Sequence, residues 1–267
     1  MKIDLNIFVS VFNHEHTIQK CLESILNQKT KYSYKIICID DCSSDKSYLI
    51  LQKLRNLYPN KIELFRNEYN SGRFRRSLIK LKDKINFDTK YWSIIDGDDW
   101  LLDVNKLEDQ INFLEINNKF IGCGGKTNIV NKENKLIGII DQSKDSFNLK
   151  DLIMLEGKEC LYMHISSIIY RNVYFQKEKF IAPIKKYAKI KGEVALLYLM
   201  LNFDDTKEIF CMKKIMSQYN YNQNGKWSKL SLDQQNKANK YYFLNFIRIV
   251  SFKYKILILL KKFRIIS

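Results

Sequence analysis

The chain has 267 residues, with 45 Lys plus Arg against 29 Asp plus Glu, a formal net charge of +16. Apolar residues at 46 % and aromatics at 13 % exclude a disordered chain and supply a core, while two prolines and nine glycines exclude collagen-like, Pro-rich and Gly/Ser-linker sequences. No apolar run approaches the ~20 residues that span a bilayer, and Met1-Lys2-Ile3-Asp4 opens no secretory apolar segment.

Strand and helix patterns alternate over the first 120 residues. Leu5–Phe12 reads as a buried strand, and Ile18, Cys21, Leu22, Ile25 and Leu26 then share one helical face. Lys35–Asp40 is a short β-branched strand. Ile50, Leu54 and Leu57 mark a helix that stops near Pro59. Ile62–Phe65 is a third strand; Leu78, Leu81 and Ile85 suggest a helix; Tyr91–Asp96 is a fourth strand; Leu107, Ile111 and Leu114 mark the next helix. Strands separated by helical patterns of about 10–15 residues imply βαβ units, a mainly parallel sheet and right-handed crossovers.

The pattern changes beyond Phe120. Ile121–Val130 and Leu136–Ile140 read as strands joined by a polar turn at 131–135. Ser166–Tyr170 and Ile209–Tyr221 are strand-like, Gly192–Leu201 is helical, and Leu232–Ile266 gives one or two terminal helices. The organisation expected is an α/β domain over 1–230, with a nucleotide-binding half at 1–120 and an acceptor-side half at 121–230, followed by a basic helical tail at 231–267. The six cysteines, Cys21, Cys38, Cys42, Cys123, Cys160 and Cys211, show no CxxC spacing. They read as reduced core thiols of a cytosolic protein. After Asp233 no acidic residue occurs, while eight Lys and Arg do, so half of the net charge lies in the last 34 residues. A basic run of this kind suits nucleic acid, an anionic membrane or an acidic protein.

Ligands of open parallel sheets bind at the carboxyl ends of the strands. Ser10, Phe12 and Asn13 follow the first strand, Asp40-Asp41-Cys42-Ser43-Ser44-Asp45 the second, and Asp96-Gly97-Asp98-Asp99 the fourth. Two acidic clusters would thus face one crevice of a basic protein. Carboxylates gathered this way repel one another and resist burial. A divalent cation resolves that conflict, and hard oxygen ligands favour Mg²⁺ or Mn²⁺ over zinc. Taken singly, the first cluster could be a helix N-cap and the second an Asp-Gly turn.

Val9-Ser10-Val11-Phe12-Asn13, with Ile18, Leu22, Ser24, Ile25 and Gln28, resembles the opening segment of family 2 glycosyltransferases of the GT-A fold. Ile39–Ser47 is similar to their "vDDgSxDxS" motif with Cys42 in place of Gly, and Ile95–Asp99 to their DxD motif. Order and spacing agree over residues 5 to about 115. The second half matches more loosely: His164-Ile165-Ser166-Ser167, Gly192–Leu197, and Tyr219–Ser228 with its Gly225-Lys226-Trp227-Ser228, which resembles an element of members that build surface polysaccharides.

This resemblance implies a GT-A fold, Rossmann-like, with a C-terminal helical extension, and an inverting, metal-dependent transfer from a nucleotide-sugar. The donor would be a UDP-sugar and the acceptor a surface polysaccharide or a lipid-linked glycan. Ser10 and Asn13 would line the nucleotide pocket, Asp41 bind the base and Asp96 the ribose. Asp98 and Asp99 would hold Mn²⁺ or Mg²⁺ on the diphosphate, with Arg73, Arg75 or Arg76 adding positive charge. Glu193, opening an apolar helical stretch, is the expected base. The family usually shows an acidic pair there, whereas this chain has Glu193-Val194. Where relatives often carry a metal-serving His, it has Asn222. His164 would face the acceptor, and Trp227 a sugar ring or the diphosphate. The basic tail would meet anionic lipid on the inner face of the cell membrane. Two alternatives remain: a non-catalytic assembly subunit, and a sugar nucleotidyltransferase, against which Ser10–Thr17 offers no Gly or Arg. No nucleic-acid-binding signature is present.

Overall fold

The computed structural model describes residues 2–72, 77–78, 80–81, 83–142, 144–154, 163–173, 197, 200–202, 204–222, 225, 229–247 and 252–262. β1 (Leu5–Val11), β2 (Tyr34–Asp40), β3 (Ile62–Arg66) and β4 (Tyr91–Asp96) alternate with α1 (Ile18–Leu26) and α2 (Ser47–Leu57). β5 (Trp100–Leu101), α3 (Lys106–Ile116), β6 (Phe120–Val130), β7 (Leu136–Ile140), β8 (Ser146–Phe147) and α4 (Leu149–Met154) follow. β9 (Ile169–Arg171), β10 (Glu208–Asn220), α5 (Leu232–Ile247) and α6 (Phe252–Lys262) complete the order.

Among the described residues, ten strands form one sheet in the order β3-β2-β1-β4-β9-β6-β10-β5, with β7 on β6 and β8 on β10. β3, β2, β1 and β4 run parallel, as does the β6–β10 pair. β9 is inserted antiparallel between β4 and β6. The sheet is therefore mixed but mainly parallel in its N-terminal half, as the βαβ pattern predicts.

Period-two alternation sends each strand's side chains to two cores. Leu5, Ile7, Val9 and Val11 of β1, Ile36 and Cys38 of β2, and Tyr91 and Ile95 of β4 pack under α1, α2 and α3 through Ile18, Leu22, Leu51, Leu107 and Ile111. Phe8, Ile37, Ile39, Trp92 and Ile94 face the other side. There they meet Leu78, Leu81 and Ile85, α4, and Tyr254 of α6, with Leu257 and Ile258 packed alongside. The described cysteines are free thiols, and all but Cys42 are buried; Cys160 lies outside the described residues. No helix among the described residues is long and apolar enough to cross a membrane.

One expected strand starts late. Ser166–Tyr170 opens as a 3₁₀ turn, Ile165–Ser167, and pairs only from Ile169. The cause is local: both the N–H and the hydroxyl of Ser167 donate back to the His164 carbonyl, at 2.9 and 2.7 Å, which closes a turn instead of a ladder. β5, β8 and α4 carry no sequence period of their own; two-residue strands are too short to show one. Of the helix expected at Gly192–Leu201, Leu197, Met200 and Leu201 are helical and buried, and the rest lies outside the described residues.

Candidate active site

Sheet register brings the two acidic clusters together. At the carboxyl end of β1, Val11 lies beside Asp40 of β2 and Ser10 beside Asp96 of β4. The loops that leave these strands are tied to one another. Asn13 adopts φ +57°, a left-handed conformation that Asn tolerates better than most residues. Its N–H donates to Ser43 Oγ (3.0 Å), and its side-chain oxygen accepts the Ser44 N–H (2.9 Å). The N–H of His14 donates to Ser47 Oγ at 2.7 Å, and that of Glu15 to Asp45 at 2.9 Å. Asn13, expected to line a nucleotide pocket, is thus engaged chiefly in holding the β1 loop to the β2 loop.

Cys42 sits at φ +64° in the middle of the second loop. That left-handed geometry is what a glycine supplies freely, which explains why a Gly is expected in this motif. For a cysteine it costs about 1–2 kcal/mol.

The two neighbouring aspartates of β2 do different work. Asp40 is fully buried and is clamped by Arg66, whose Nε lies 3.2 Å away, and by the Ser43 N–H at 3.2 Å. Asp41 is half-buried. Burial alone would raise its pKa, but the Ser71 N–H, the Asn67 amide, the Ser71 hydroxyl and the Gly72 N–H all favour the charged form, and the net shift is downward. These contacts are short: Asn67 Nδ2 at 2.6 Å, Ser71 N at 2.8 Å and Gly72 N at 2.9 Å. Asp41 is therefore an oriented carboxylate, ionised at neutral pH and held by these donors. Sequence reading missed this clamp, because Asn67 and Ser71 are ordinary polar residues 26 and 30 positions away.

The same division recurs in the third loop. Asp99 is fully buried. It accepts the Ser166 hydroxyl at 2.6 Å and the Asn220 N–H at 3.3 Å, and His164 Nδ1 stands 3.4 Å from it. His164 is itself buried and stacked on Tyr219, ring centroids 4.7 Å apart. Asp99 thus joins the nucleotide-side loop to the 3₁₀ turn and to the end of β10. Asp98 points the other way, with 27 % of its side chain exposed and His14 Nε2 at 3.8 Å. Asp96 is half-buried, and its carbonyl accepts the Asp99 N–H at 2.9 Å. Between them Gly97 donates to the Ser10 carbonyl at 2.8 Å. A Cβ on Gly97 would lie 2.7 Å from His14 Nδ1 and 2.9 Å from that carbonyl. Gly97→Ala is accordingly expected to destabilise the fold by about 1–3 kcal/mol, read as a lowered midpoint in thermal unfolding; an unchanged midpoint would show that the loop relaxes freely.

Of Asp96, Asp98 and Asp99, only Asp99 is fully buried; Asp96 and Asp98 are each partly exposed. Among the described residues, no three His, Cys, Asp or Glu side chains converge on a point that would hold a metal. Glu193, Arg73, Arg75, Arg76 and Trp227 lie outside the described residues. Asn222 is placed just beyond β10, its carbonyl accepting the Gly225 N–H at 2.8 Å.

The model of glycosyl transferase family 2 matches residues 6–178. The poly(ribitol-phosphate) beta-glucosyltransferase of Bacillus spizizenii is 34 % identical over 100 residues, 36 % of this chain and 15 % of that protein. The UDP-Glc:alpha-D-GlcNAc-diphosphoundecaprenol beta-1,3-glucosyltransferase of Escherichia coli is 28 % identical over 135 residues, 50 % of this chain and 49 % of that protein. The chain thus spans from about one seventh to half of the length of these relatives. Among solved structures, S. aureus TarS 1–349 in complex with UDP-GlcNAc superposes with a TM-score of 0.65 at 15 % identity, covering 95 % of this chain and 69 % of that one. At that identity the likeness is one of fold, and the fold is GT-A. The match begins within β1 and runs through both strands that lead into the acidic loops, past β9, so most of the crevice just described lies in the part of the molecule the family shares: the chain belongs to glycosyl transferase family 2.

Proposed function

We propose that this protein transfers a sugar from a nucleotide-sugar, a UDP-sugar, to a hydroxyl of a surface polysaccharide or lipid-linked glycan, with inversion at the sugar carbon. The observation that carries this reading is the pairing of an ionised, clamped Asp41 with an open Asp98 on loops tied into one crevice. The uracil ring presents an N–H donor, and a carboxylate already oriented by its protein donors is placed to meet it. Asp98 would hold Mn²⁺ or Mg²⁺ in the crevice, and such an ion would supply positive charge for the departing nucleotide. Asp99 acts one step back: by fixing Ser166 and the end of β10, it sets the acceptor side against the donor side.

In the transfer, the acceptor oxygen forms a bond to the anomeric carbon as the bond from that carbon to the phosphate oxygen breaks. The hydroxyl proton passes to a carboxylate on the face opposite the nucleotide, for which Glu193 is our candidate. His164, buried beneath Asp99, holds the acceptor-side wall. Ser10 and Asp96, neighbours across the sheet, border the ribose. Residues Arg76 and Trp227 are assigned to the diphosphate and sugar from the sequence alone. The relatives reported above are named for poly(ribitol phosphate) and for a diphosphoundecaprenol-linked sugar, which supports acceptors of those kinds. α6 buries Tyr254 but leaves Phe252 and Ile256, 76 % and 42 % exposed, beside Lys253. This face fits an anionic membrane surface and a peripheral position on its cytoplasmic side.

Calorimetric binding of UDP, GDP, CDP and TDP, each with and without Mn²⁺, tests the reading. UDP binding that is strong only with metal is the expected result. Preference for another base would replace the donor class. No binding of any nucleotide would overturn catalysis and leave a non-catalytic subunit.

A further inference from the structure

The chain has three histidines. His16 is 91 % exposed and turned toward Glu15. His164 is buried against Asp99 and Tyr219. His14 alone faces Asp98. Its backbone is fixed on both sides: its N–H donates to Ser47 Oγ at 2.7 Å, and its carbonyl accepts the N–H groups of Thr17 and Ile18 at 3.0 and 2.9 Å, where α1 begins. The ring lies over Gly97, whose missing Cβ makes room for it. Nδ1 is buried there without a hydrogen-bond partner among the described residues. Nε2 is the ring edge turned to the crevice, 3.8 Å from Asp98 Oδ2.

That separation is too long for a hydrogen bond. It does suit two donors of one cation. With metal–ligand bonds of about 2.1 Å, donors at right angles stand about 3.0 Å apart and donors in line about 4.2 Å. We infer that His14 Nε2 is a second protein ligand of the divalent cation held by Asp98, with diphosphate oxygens and water completing the shell. The inference rests on Asp98 holding that cation. A nitrogen donor beside a carboxylate favours Mn²⁺ over Mg²⁺, because imidazole is the softer ligand.

Electron spin echo spectroscopy of the full chain with Mn²⁺ and UDP tests this directly. The expected spectrum carries the ¹⁴N coupling of a bound imidazole, and His14→Gln removes it. In the same samples, Mn²⁺ affinity in the presence of UDP should fall about tenfold or more in His14→Gln, while UDP affinity without metal stays the same. His14→Asp should restore Mn²⁺ binding without the nitrogen signal. If Mn²⁺ binds and Asp98→Asn abolishes that binding, yet wild type shows no ¹⁴N coupling or His14→Gln retains it, His14 is not a ligand and the Asp98 assignment stands. If Mn²⁺ does not bind with UDP at all, both assignments fail.

Discussion

Asp98→Asn is expected to reduce Mn²⁺-supported UDP affinity at least tenfold and sugar transfer by about 10²–10³-fold, without lowering the unfolding midpoint. The reason is exposure. Asp98 has 27 % of its side chain in solvent, and the His14 ring stands 3.8 Å from it, beyond hydrogen-bond reach, so the fold gains little from it. Its neighbour behaves in the opposite way. Asp99→Ala strands the Ser166 hydroxyl and the Asn220 N–H, both now satisfied by a fully buried carboxylate. Each buried group left unpaired costs about 1–3 kcal/mol, so thermal unfolding should show a clear loss before any activity is measured. The pair makes the test sharp: one aspartate changes binding with the fold intact, and the next one changes the fold. A folded Asp99→Ala with wild-type stability, or an Asp98→Asn that binds metal and UDP normally, would reverse the roles drawn from the geometry.

Lys106→Met is expected to stabilise the protein. Lys106 opens α3, is fully buried, and its Nζ has no hydrogen-bond partner among the described residues. Burial drives its pKa down to about 7 from an ordinary 10.5, only partly opposed by Cys123 and Asp103. The sign follows from proton binding. Between pH 7 and 10.5 the unfolded chain holds this proton and the folded chain does not, so stability rises with pH, by about 1.4 kcal/mol per unit. At pH 7 the penalty is near its full size, and an apolar side chain of similar reach removes it. The expected gain is about 2–4 kcal/mol, on the order of 5–10 °C in the midpoint at pH 7. The advantage over wild type should shrink by pH 8.5, a window below most Cys and Tyr titration. A Lys106→Met protein less stable than wild type at pH 7, or with an advantage independent of pH, would show that the amine is paired and charged.

Much of the molecule is legible in the sequence because its physics is local. Short, largely apolar runs in Leu5–Val11, Tyr34–Asp40 and Tyr91–Asp96 indicate strands covered on both faces, and the observed elements follow within a residue or so. The placement of acidic clusters after β2 and β4 is likewise a matter of where each strand stops. β9 is different. Three residues are too few to state a direction, and its antiparallel place between β4 and β6 depends on pairing partners 46 to 80 residues away in sequence, Cys123 with Ile169 and Tyr91 with Arg171 among them.

The amino-acid sequence by itself determined that this is a doubly covered, mainly parallel α/β sheet with carboxylates gathered at its ligand end. Those features follow from hydrophobic period, from turn chemistry and from the order of short motifs. Only the tertiary structure decided what each carboxylate does. Asp40 and Asp41, like Asp98 and Asp99, are adjacent and chemically identical, yet one of each pair is buried and the other reaches the crevice. The partners that make the difference, Arg66, Asn67 and Ser71 for the first pair and Ser166 and Asn220 for the second, lie 26 to 121 residues from the aspartates they hold. No local pattern encodes such contacts, because desolvation and hydrogen bonding act on whatever the completed fold brings within 3 Å.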